Sequence, residues 1–376
     1  MRYLFYVSLI CLLVACSNSN KPAATSMQAI DAEVQRLMID ADVKGMALAV
    51  IDGGQLVHVA ALGHRNVEHD LPLEHDSIMY GASLTKTAFS YMVLQLVDEG
   101  TFELDKPLID YLPMPIESYD EYKDLADDNR RRVLTARHVL THSTGFANFR
   151  WLEDDRKLRF HFTPGERYAY SGEGFYLLQF ALEQGLGLDA KAEMQRRVFD
   201  RFKMTNTSMQ WRPDFAENLA DGYSMDGSYE PHDERSNVSA AGSMDTTIED
   251  QGRMWAGIMR GDGLSKNARA ELIRPQLDIA SAHQFPTLLE DTDPRATEIG
   301  LSAGLGLVTF GLGKYKVWFK GGHDPWTGNM VVCQELHQRC VVMLANSVRA
   351  EFIYPDVAEL VLGSTGMPWW WEYNQN

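Results

Sequence analysis

The chain has 376 residues, of which 45% are hydrophobic and 23% are charged, and it carries a formal net charge of −17. This composition is typical of a globular protein with a large core, built either as one two-lobed domain or as two domains. The acidic balance argues against a nucleic-acid partner, and it would repel an anionic membrane, so attachment to a membrane requires an anchor.

The N-terminal residues have the pattern of a secretory signal, with a basic start and an apolar run over 4–15 that is too short to span a membrane. Leu-Val-Ala before Cys16 resembles the bacterial lipoprotein signal, in which the cysteine is lipidated and becomes the first residue. We predict a signal peptide over 1–15 and a lipidated polar tether over 16–28. The expected location is the bacterial cell envelope, as a periplasmic lipoprotein, and Ser17 favours the outer membrane by the same resemblance. The alternatives are a plain signal peptide and a buried segment that contains a cysteine by chance.

The first folded elements are predicted from the end of the tether onward. Ser26 has the character of a helix N-cap, and the apolar spacing that follows predicts a helix to about Ala41. Two apolar runs, 46–51 and 55–62, flank Asp-Gly-Gly and predict a β-hairpin. A polar segment over 63–78 then leads to the central stretch of the chain.

The central stretch, from Thr85 to Val97, contains no proline, no glycine and no charged residue except Lys86. Its apolar residues recur with helical spacing on nearly every side, which predicts a buried helix. Ser83 and Lys86 lie three residues apart at its start, so the amine can reach the hydroxyl. Burial lowers the pKa of a lysine, and a neutral amine can serve as the base that a serine nucleophile needs. The alternative is a capping serine followed by a surface lysine.

Two histidines lie on the next predicted helix, over 135–143. His138 and His142 are four residues apart, which is a metal-ligand spacing, but the glutamate of the usual motif and a third ligand are missing. We therefore interpret them as packing histidines and predict no metal.

Two further helices are predicted to begin within 163–172 and 240–250, and the regions 205–240 and 281–299 predict loops. Tyr170 lies at the predicted N-terminus of the helix that begins within 163–172. Its phenol could pass protons if its pKa were lowered between two lysines.

Strands dominate the C-terminal part, over 305–310, 315–319 and a hairpin at 330–344, before a last helix over 355–361. The second of these strands is predicted to end in Lys320-Gly321-Gly322. The lysine would supply a second positive charge, and the two glycines allow a close backbone approach to a substrate.

Two cysteines, Cys333 and Cys340, flank the turn of this last hairpin symmetrically. If the hairpin is tight, they face each other across the strands, and a disulfide could form in an oxidising compartment. Two free thiols are the alternative, and the spacing does not suit zinc.

Strands at both ends of the chain and helices in the middle predict a two-lobed α+β fold. The N- and C-terminal strands would form one antiparallel sheet flanked by helices, with a mostly helical lobe over about 84–300. We place the whole domain at 29–366 and a C-terminal tail at 367–376.

Taken together, the motifs resemble the penicillin-recognising serine hydrolases, specifically the class C β-lactamase, D-peptidase and esterase-type group. The resemblance covers about 29–365 and implies a β-lactamase/transpeptidase-like fold. The motifs that carry it are Ser83-Leu84-Thr85-Lys86, Tyr170-Ser171, Lys320-Gly321-Gly322-His323 and the segments 96–107, 135–145, 164–171 and 241–250.

The resemblance implies a role for each motif. Ser83 attacks a carbonyl and forms an acyl-enzyme, and Lys86 and Tyr170 shuttle the proton. Lys320 lowers the pKa of both Lys86 and Tyr170. Backbone N–H groups of Ser83 and His323 form the oxyanion hole. The substrate-binding and oxyanion positions are Ser83, Gly321, Gly322 and His323. No cofactor is implied.

Two positions depart from the family pattern. Gly172 stands where the family has an asparagine that holds the substrate amide, and Gly321 stands where it has a threonine that helps to bind a substrate carboxylate. Each missing hydrogen bond weakens discrimination by roughly 1–3 kcal/mol. The expected activity is therefore esterase-like or D-peptidase-like, on a small ester, amide or peptide, with weak or no β-lactamase activity. The sequence does not indicate the oligomeric state.

Two other hypotheses compete with this prediction. Residues 141–145, Thr-His-Ser-Thr-Gly, loosely resemble a nucleophile elbow centred on Ser143, although the first glycine and the preceding strand are missing. Alternatively, the protein keeps the fold but has lost catalysis and holds cell-wall peptides, as Gly172 and Gly321 would allow.

Overall fold

The structure, a computed structural model, describes residues 26–311 and 313–373. The predicted signal peptide, Cys16 and most of the tether lie outside the described residues. In the part that is described, no helix combines the length and the apolar character needed to cross a bilayer.

The helices and strands follow the predicted order. The helices are α1 Met27–Asp40, α2 Leu84–Asp98, α3 Ala136–Leu140, α4 Gly172–Leu186, α5 Ala190–Met194, α6 Ile248–Arg260, α7 Lys266–Ile273, α8 Pro294–Glu298, α9 Tyr354–Leu362 and α10 Trp369–Glu372. The strands are β1 Gly45–Asp52, β2 Gln55–Asn66, β3 Leu71–Pro72, β4 Met79–Tyr80, β5 Gly222–Tyr223, β6 Tyr229–Glu230, β7 Asp245–Thr246, β8 Leu277–Asp278, β9 Ser302–Ala303, β10 Val308–Phe310, β11 Val317–His323, β12 Gly328–Gln334 and β13 Arg339–Ala345.

One antiparallel sheet of nine strands joins the two ends of the described chain, in the order β3-β2-β1-β13-β12-β11-β10-β9-β8. Its centre is the pairing of β1 with β13, in which Met46 lies opposite Ala345. The predicted sheet of N- and C-terminal strands is therefore confirmed, and the residues between them build the helical lobe.

Alternate side chains of the central strands pack into two separate hydrophobic cores, because successive side chains of a strand point to opposite faces of the sheet. On β13, Val342 and Leu344 join the core around α2, whereas Val341 and Met343 join the core shared with α1 and α9. Both faces of the sheet are thus covered by helices. This explains why the sequences of these strands are continuously apolar and do not alternate with polar residues.

Helix α2 is buried along nearly its whole length, since every residue from Leu84 to Leu96 is inaccessible or nearly so. Burying each large apolar side chain contributes roughly 1.5–3 kcal/mol, so this helix is fixed firmly in the core. A rigid helix of this kind holds whatever side chains lie at its N-terminus in one position.

The hairpin of β12 and β13 brings Cys333 opposite Cys340. Both cysteines are fully buried, and the structure joins them in a disulfide. The turn between them, over Leu336–Gln338, contains His337 in the left-handed region at φ 65°.

Several segments differ from the sequence prediction, among them 135–143, 281–299 and 367–376. The helix predicted over 135–143 ends at Leu140, because His142 adopts a left-handed conformation with φ 53°. The loop predicted over 281–299 contains α8 and the buried Gln284. The predicted tail begins at residue 367, yet Trp371 is fully buried and the segment forms α10 against the domain.

Candidate active site

The N-terminus of α2 presents Ser83 to a pocket of about 710 Å³. The preceding residue, Ala82, has φ 45°, an uncommon conformation for a residue with a side chain, and such strain often occurs at functional sites. The turn aims Ser83 away from the core while α2 itself stays buried. Lys86 follows one turn later, and its Nζ lies 3.0 Å from Ser83 Oγ.

Lys86 has the environment of a neutral amine. Its side chain is buried, and burial, reinforced by the charge of Lys320, holds its pKa well below the usual value. Its Nζ donates a hydrogen bond of 2.6 Å to the carbonyl oxygen of Ala241. This bond fixes the amine, and a neutral nitrogen then has a lone pair to accept the Ser83 proton.

Tyr170 and Lys320 complete the group that the sequence placed around Ser83. Lys320 Nζ donates to Tyr170 Oη at 3.2 Å and to the carbonyl oxygen of Gly321 at 2.6 Å. The Tyr170 ring stacks on His142, with ring centroids 4.1 Å apart. The structure thus brings together Ser83, Lys86, Tyr170 and Lys320 from three separate segments of the chain.

The electrostatics of Tyr170 differ from the sequence expectation. Burial raises the pKa of Tyr170, and a hydrogen bond with Ser83 offsets this increase only in part. The pKa of Lys320 falls to about 8, also because of burial, and the negative charge of Glu372 opposes that fall. Tyr170 is therefore a neutral phenol that donates a proton, and Lys86 is the group with the properties of a base.

The backbone of β11 passes close beside Ser83. A Cβ built on Gly322 would lie 3.0 Å from the backbone nitrogens of both Ser83 and Leu84, so a side chain would separate the strand from α2. His323 follows Gly322 at the end of β11 and lines the same pocket. Burial and the neighbouring lysines lower the pKa of His323 to about 4, which keeps its ring neutral.

Some candidates from the sequence do not reach the pocket. Ser143 is buried beside Thr141, with the two hydroxyl oxygens 2.9 Å apart, and it does not line the pocket that contains Ser83. His138 caps α3 through Thr135. Within the described residues, no group of three or more His, Cys, Asp or Glu side chains is arranged to hold a metal ion.

Phe149, Gln284 and Glu372 are among the pocket-lining residues that sequence reasoning missed. Glu372 comes from α10, in the segment interpreted as a tail. The run Trp-Trp-Trp at 369–371 was the available signal, because three consecutive large apolar residues seldom stay in solvent.

With this geometry established, comparisons with known proteins identify the family. A model of the family described as Beta-lactamase matches residues 30–362. The chain belongs to this family.

Two characterised relatives are similar to parts of the chain. The D-alanyl-D-alanine-carboxypeptidase/endopeptidase AmpH of Escherichia coli K12 is 26% identical over 207 residues, which are 50% of this chain and 51% of AmpH. Esterase EstB of Burkholderia gladioli is 28% identical over 174 residues, 46% of this chain and 40% of EstB. The matched part therefore spans about half the length of these relatives or less.

Solved structures show the same fold at lower identity. The octameric penicillin-binding protein homologue from Pyrococcus abyssi has a TM-score of 0.70 at 19% identity, over 90% of this chain and 78% of that one. The D-alanine carboxypeptidase AmpC from Burkholderia cenocepacia has a TM-score of 0.68 at 18% identity, and the match covers 89% of this chain and 97% of AmpC. The chain thus has the fold of the penicillin-binding proteins.

Proposed function

We propose that this protein hydrolyses an ester, amide or peptide through an acyl-enzyme on Ser83. The observation that carries the proposal is the buried Lys86 amine, 3.0 Å from Ser83 Oγ, with its pKa held well below the usual value. A buried neutral lysine beside a hydroxyl at a helix N-terminus has the properties of a general base next to a nucleophile.

The proposed reaction starts when Ser83 Oγ attacks the substrate carbonyl carbon and its proton moves to Lys86 Nζ. The electron pair of the carbonyl double bond moves onto oxygen, beside the backbone N–H of Ser83. The intermediate collapses by breaking the bond to the leaving group, which takes a proton from the neutral phenol of Tyr170. Lys320, which donates to Tyr170 Oη, stabilises the negative charge that develops on that phenol.

A water molecule then hydrolyses the acyl-enzyme. Its proton passes to the phenolate of Tyr170, its oxygen bonds to the acyl carbon, and Ser83 recovers its proton from Lys86 as the ester bond breaks. The lysine and the tyrosine thus return to their starting states, and no external redox partner is needed.

The substrate proposal is esterase-like or D-peptidase-like. The similarity to EstB and to AmpH supports these two classes, and the missing side chains at Gly172 and Gly321 argue against efficient β-lactam turnover. A non-catalytic peptide-binding protein is the second candidate, because those same two glycines remove groups that hold substrate.

The test is hydrolysis of 4-nitrophenyl acetate by the wild-type domain and by Ser83→Ala and Ser143→Ala. Ser83→Ala is expected to lower kcat by a factor of about 10³ or more, because the nucleophile is gone, whereas Ser143→Ala remains active. Full activity in Ser83→Ala contradicts the proposal. Tight binding of an ester or D-peptide without turnover by wild type favours the binding protein.

We also propose that the protein is a lipoprotein of the cell envelope, anchored through Cys16. The leader pattern supports this location, and so does the Cys333–Cys340 disulfide, because disulfides persist in oxidising compartments. Cys16→Ser is expected to move the protein from the membrane fraction to the soluble fraction of the producing bacterium. Equal membrane association of both forms would contradict the anchor.

A further inference from the structure

The space beside each of the two unusual glycines is already filled by another residue. A Cβ built on Gly321 would lie 2.1 Å from Oε1 of Glu372, and a Cβ built on Gly172 would lie 2.3 Å from Cε1 of Phe149. Both distances are far shorter than an ordinary contact. The two missing side chains have therefore left room for a carboxylate and for an aromatic ring, and both of these residues line the pocket of Ser83.

Burial and a hydrogen bond hold the Glu372 side chain in place. It is 6% exposed, and Gln284 Nε2 donates a hydrogen bond of 2.5 Å to its Oε2. Gln284 is oriented in turn by Tyr168, whose hydroxyl donates to its Oε1 at 3.0 Å. Burial raises the pKa of Glu372 to about 7, while Lys320 pulls it down, so the carboxylate is ionised above neutral pH.

Phe149 is held in place by its aromatic neighbours. Its ring stacks on Trp151, with centroids 4.0 Å apart and planes 9° from parallel, and it lies 5.9 Å from the ring of Tyr176. The pocket therefore presents an aromatic wall at Gly172, where the family has an amide. Such a wall favours apolar groups and offers no hydrogen bond to a peptide.

The cations of the pocket are engaged within the protein. Arg235 Nη1 donates to the buried carboxylate of Asp245 at 3.1 Å, and its guanidinium lies 3.5 Å from the centroid of the Tyr80 ring. Lys320 donates to Tyr170 and to the backbone, as described above. The carboxylates of Asp233, Glu234, Asp324 and Glu372 also line this pocket. A substrate carboxylate would enter an environment that already holds several carboxylates.

We propose that Glu372 and Phe149 determine the specificity of this site, so that it accepts uncharged ester or amide substrates and rejects those with a carboxylate near the scissile bond. The inference rests on the proposed function, and it selects the esterase-like class over a peptidase that acts at a C-terminal carboxylate. The Glu372 carboxylate fills the space that a side chain at position 321 would take, in the same pocket as Ser83, and like charges repel at short range.

The test compares two substrates of equal shape, 3-carbamoylphenyl acetate and 3-carboxyphenyl acetate, at pH 8. Wild type is expected to prefer the carbamoyl ester in kcat/KM by at least about tenfold, because of the repulsion by Glu372. In Glu372→Gln the preference is expected to fall at least about fivefold, mainly through a lower KM for the carboxylate ester.

Glu234→Gln is the matched control, since Glu234 is an exposed carboxylate that lines the same pocket. It removes the same charge elsewhere in the pocket and should change the preference by less than about twofold, because solvent screens exposed charges. A preference that is unchanged in Glu372→Gln, or that falls equally in Glu234→Gln, would overturn the inference.

A binding experiment separates failure of the inference from failure of the proposed function. The probes are 3-carbamoylphenylboronic acid and 3-carboxyphenylboronic acid, titrated calorimetrically into wild type and Glu372→Gln. If wild type hydrolyses neither ester, the proposed function fails, and the ratio of the two dissociation constants decides the specificity of the pocket. Tighter binding of the carbamoyl probe by wild type, lost in Glu372→Gln, supports the inference, whereas equal ratios in both proteins refute it.

Discussion

The contact between Gly321 and Glu372 predicts strong energetic coupling between two substitutions. In Gly321→Ala, the new methyl group would lie 2.1 Å from Glu372 Oε1, so the carboxylate must retreat by more than 1 Å to reach an ordinary contact. That movement breaks the 2.5 Å hydrogen bond from Gln284, a bond to a charged group worth about 1.5–3 kcal/mol. We therefore expect Gly321→Ala to lower the free energy of unfolding by about this amount.

The same substitution should be harmless once Glu372 is truncated. In a Glu372→Ala background, the nearest remaining atom to the new methyl group is Met330 Cε at 3.4 Å, which is an ordinary contact. Gly321 does not adopt a left-handed conformation, so alanine there would restrict the unfolded chain and stabilise the protein by about 0.4–1 kcal/mol.

The assay is urea denaturation of wild type, both single variants and the double variant. The interaction free energy from this double-mutant cycle is expected to be about 2–4 kcal/mol, with the double variant more stable than additivity predicts. Additive effects of the two substitutions would refute the claim that Glu372 occupies the space beside Gly321. A single variant that fails to fold would still leave the comparison of Glu372→Ala with the double variant, where no loss of stability is expected.

Three further predictions concern the charged groups of the structure. The positive charge of Lys320 lowers the pKa of Lys86, so this pKa should rise in Lys320→Met. The rising limb of kcat/KM against pH should then move to higher pH. An unmoved limb would show that Lys320 does not tune the pKa of the catalytic base. The pKa of Glu372 in the folded protein is about 7, above its ordinary value of 4.5. The protonated Glu372 therefore stabilises the fold at low pH, and this stabilisation is lost as the pH rises from about 5 to 7. The free energy of unfolding should decline less over this range in Glu372→Gln than in wild type, as measured by urea denaturation at several pH values. Arg150 forms an ion pair with the buried Glu173 carboxylate at 2.7 Å, and Arg150→Met would leave that carboxylate without its charged partner. We expect the free energy of unfolding to fall by about 3–5 kcal/mol in thermal or urea denaturation. A fall below about 1 kcal/mol would contradict this expectation.

Most of the scaffold could be predicted because its signals are local. The apolar spacing of α1 and α2 and the turn between β1 and β2 depend on neighbouring residues, and the structure has each of them within a few residues of the predicted bounds. The pairing of Ser83 with Lys86 is also local, since it follows from one turn of helix.

The remainder of the site depends on contacts between distant segments, which no local pattern encodes. Glu372 reaches Gly321 only because α10 packs against the sheet, and Phe149 reaches Gly172 only because the loop before α4 folds over its N-terminus. The pKa of Tyr170 shows a related limit. Counting nearby lysines suggested a lower value, but the depth of burial, which depends on the whole fold, raises it.

The pairing of β1 with β13 has a consequence for biosynthesis. Met46 and Ala345 are neighbours in the sheet but lie almost 300 residues apart in the chain. At roughly 5–20 residues per second, a ribosome needs about 15–60 s to make the second strand after the first. During that interval β1 has an unpaired edge and apolar side chains on both faces, which makes the nascent chain prone to aggregation. Its yield in a cell should therefore depend on chaperones that shield this strand until the partner emerges.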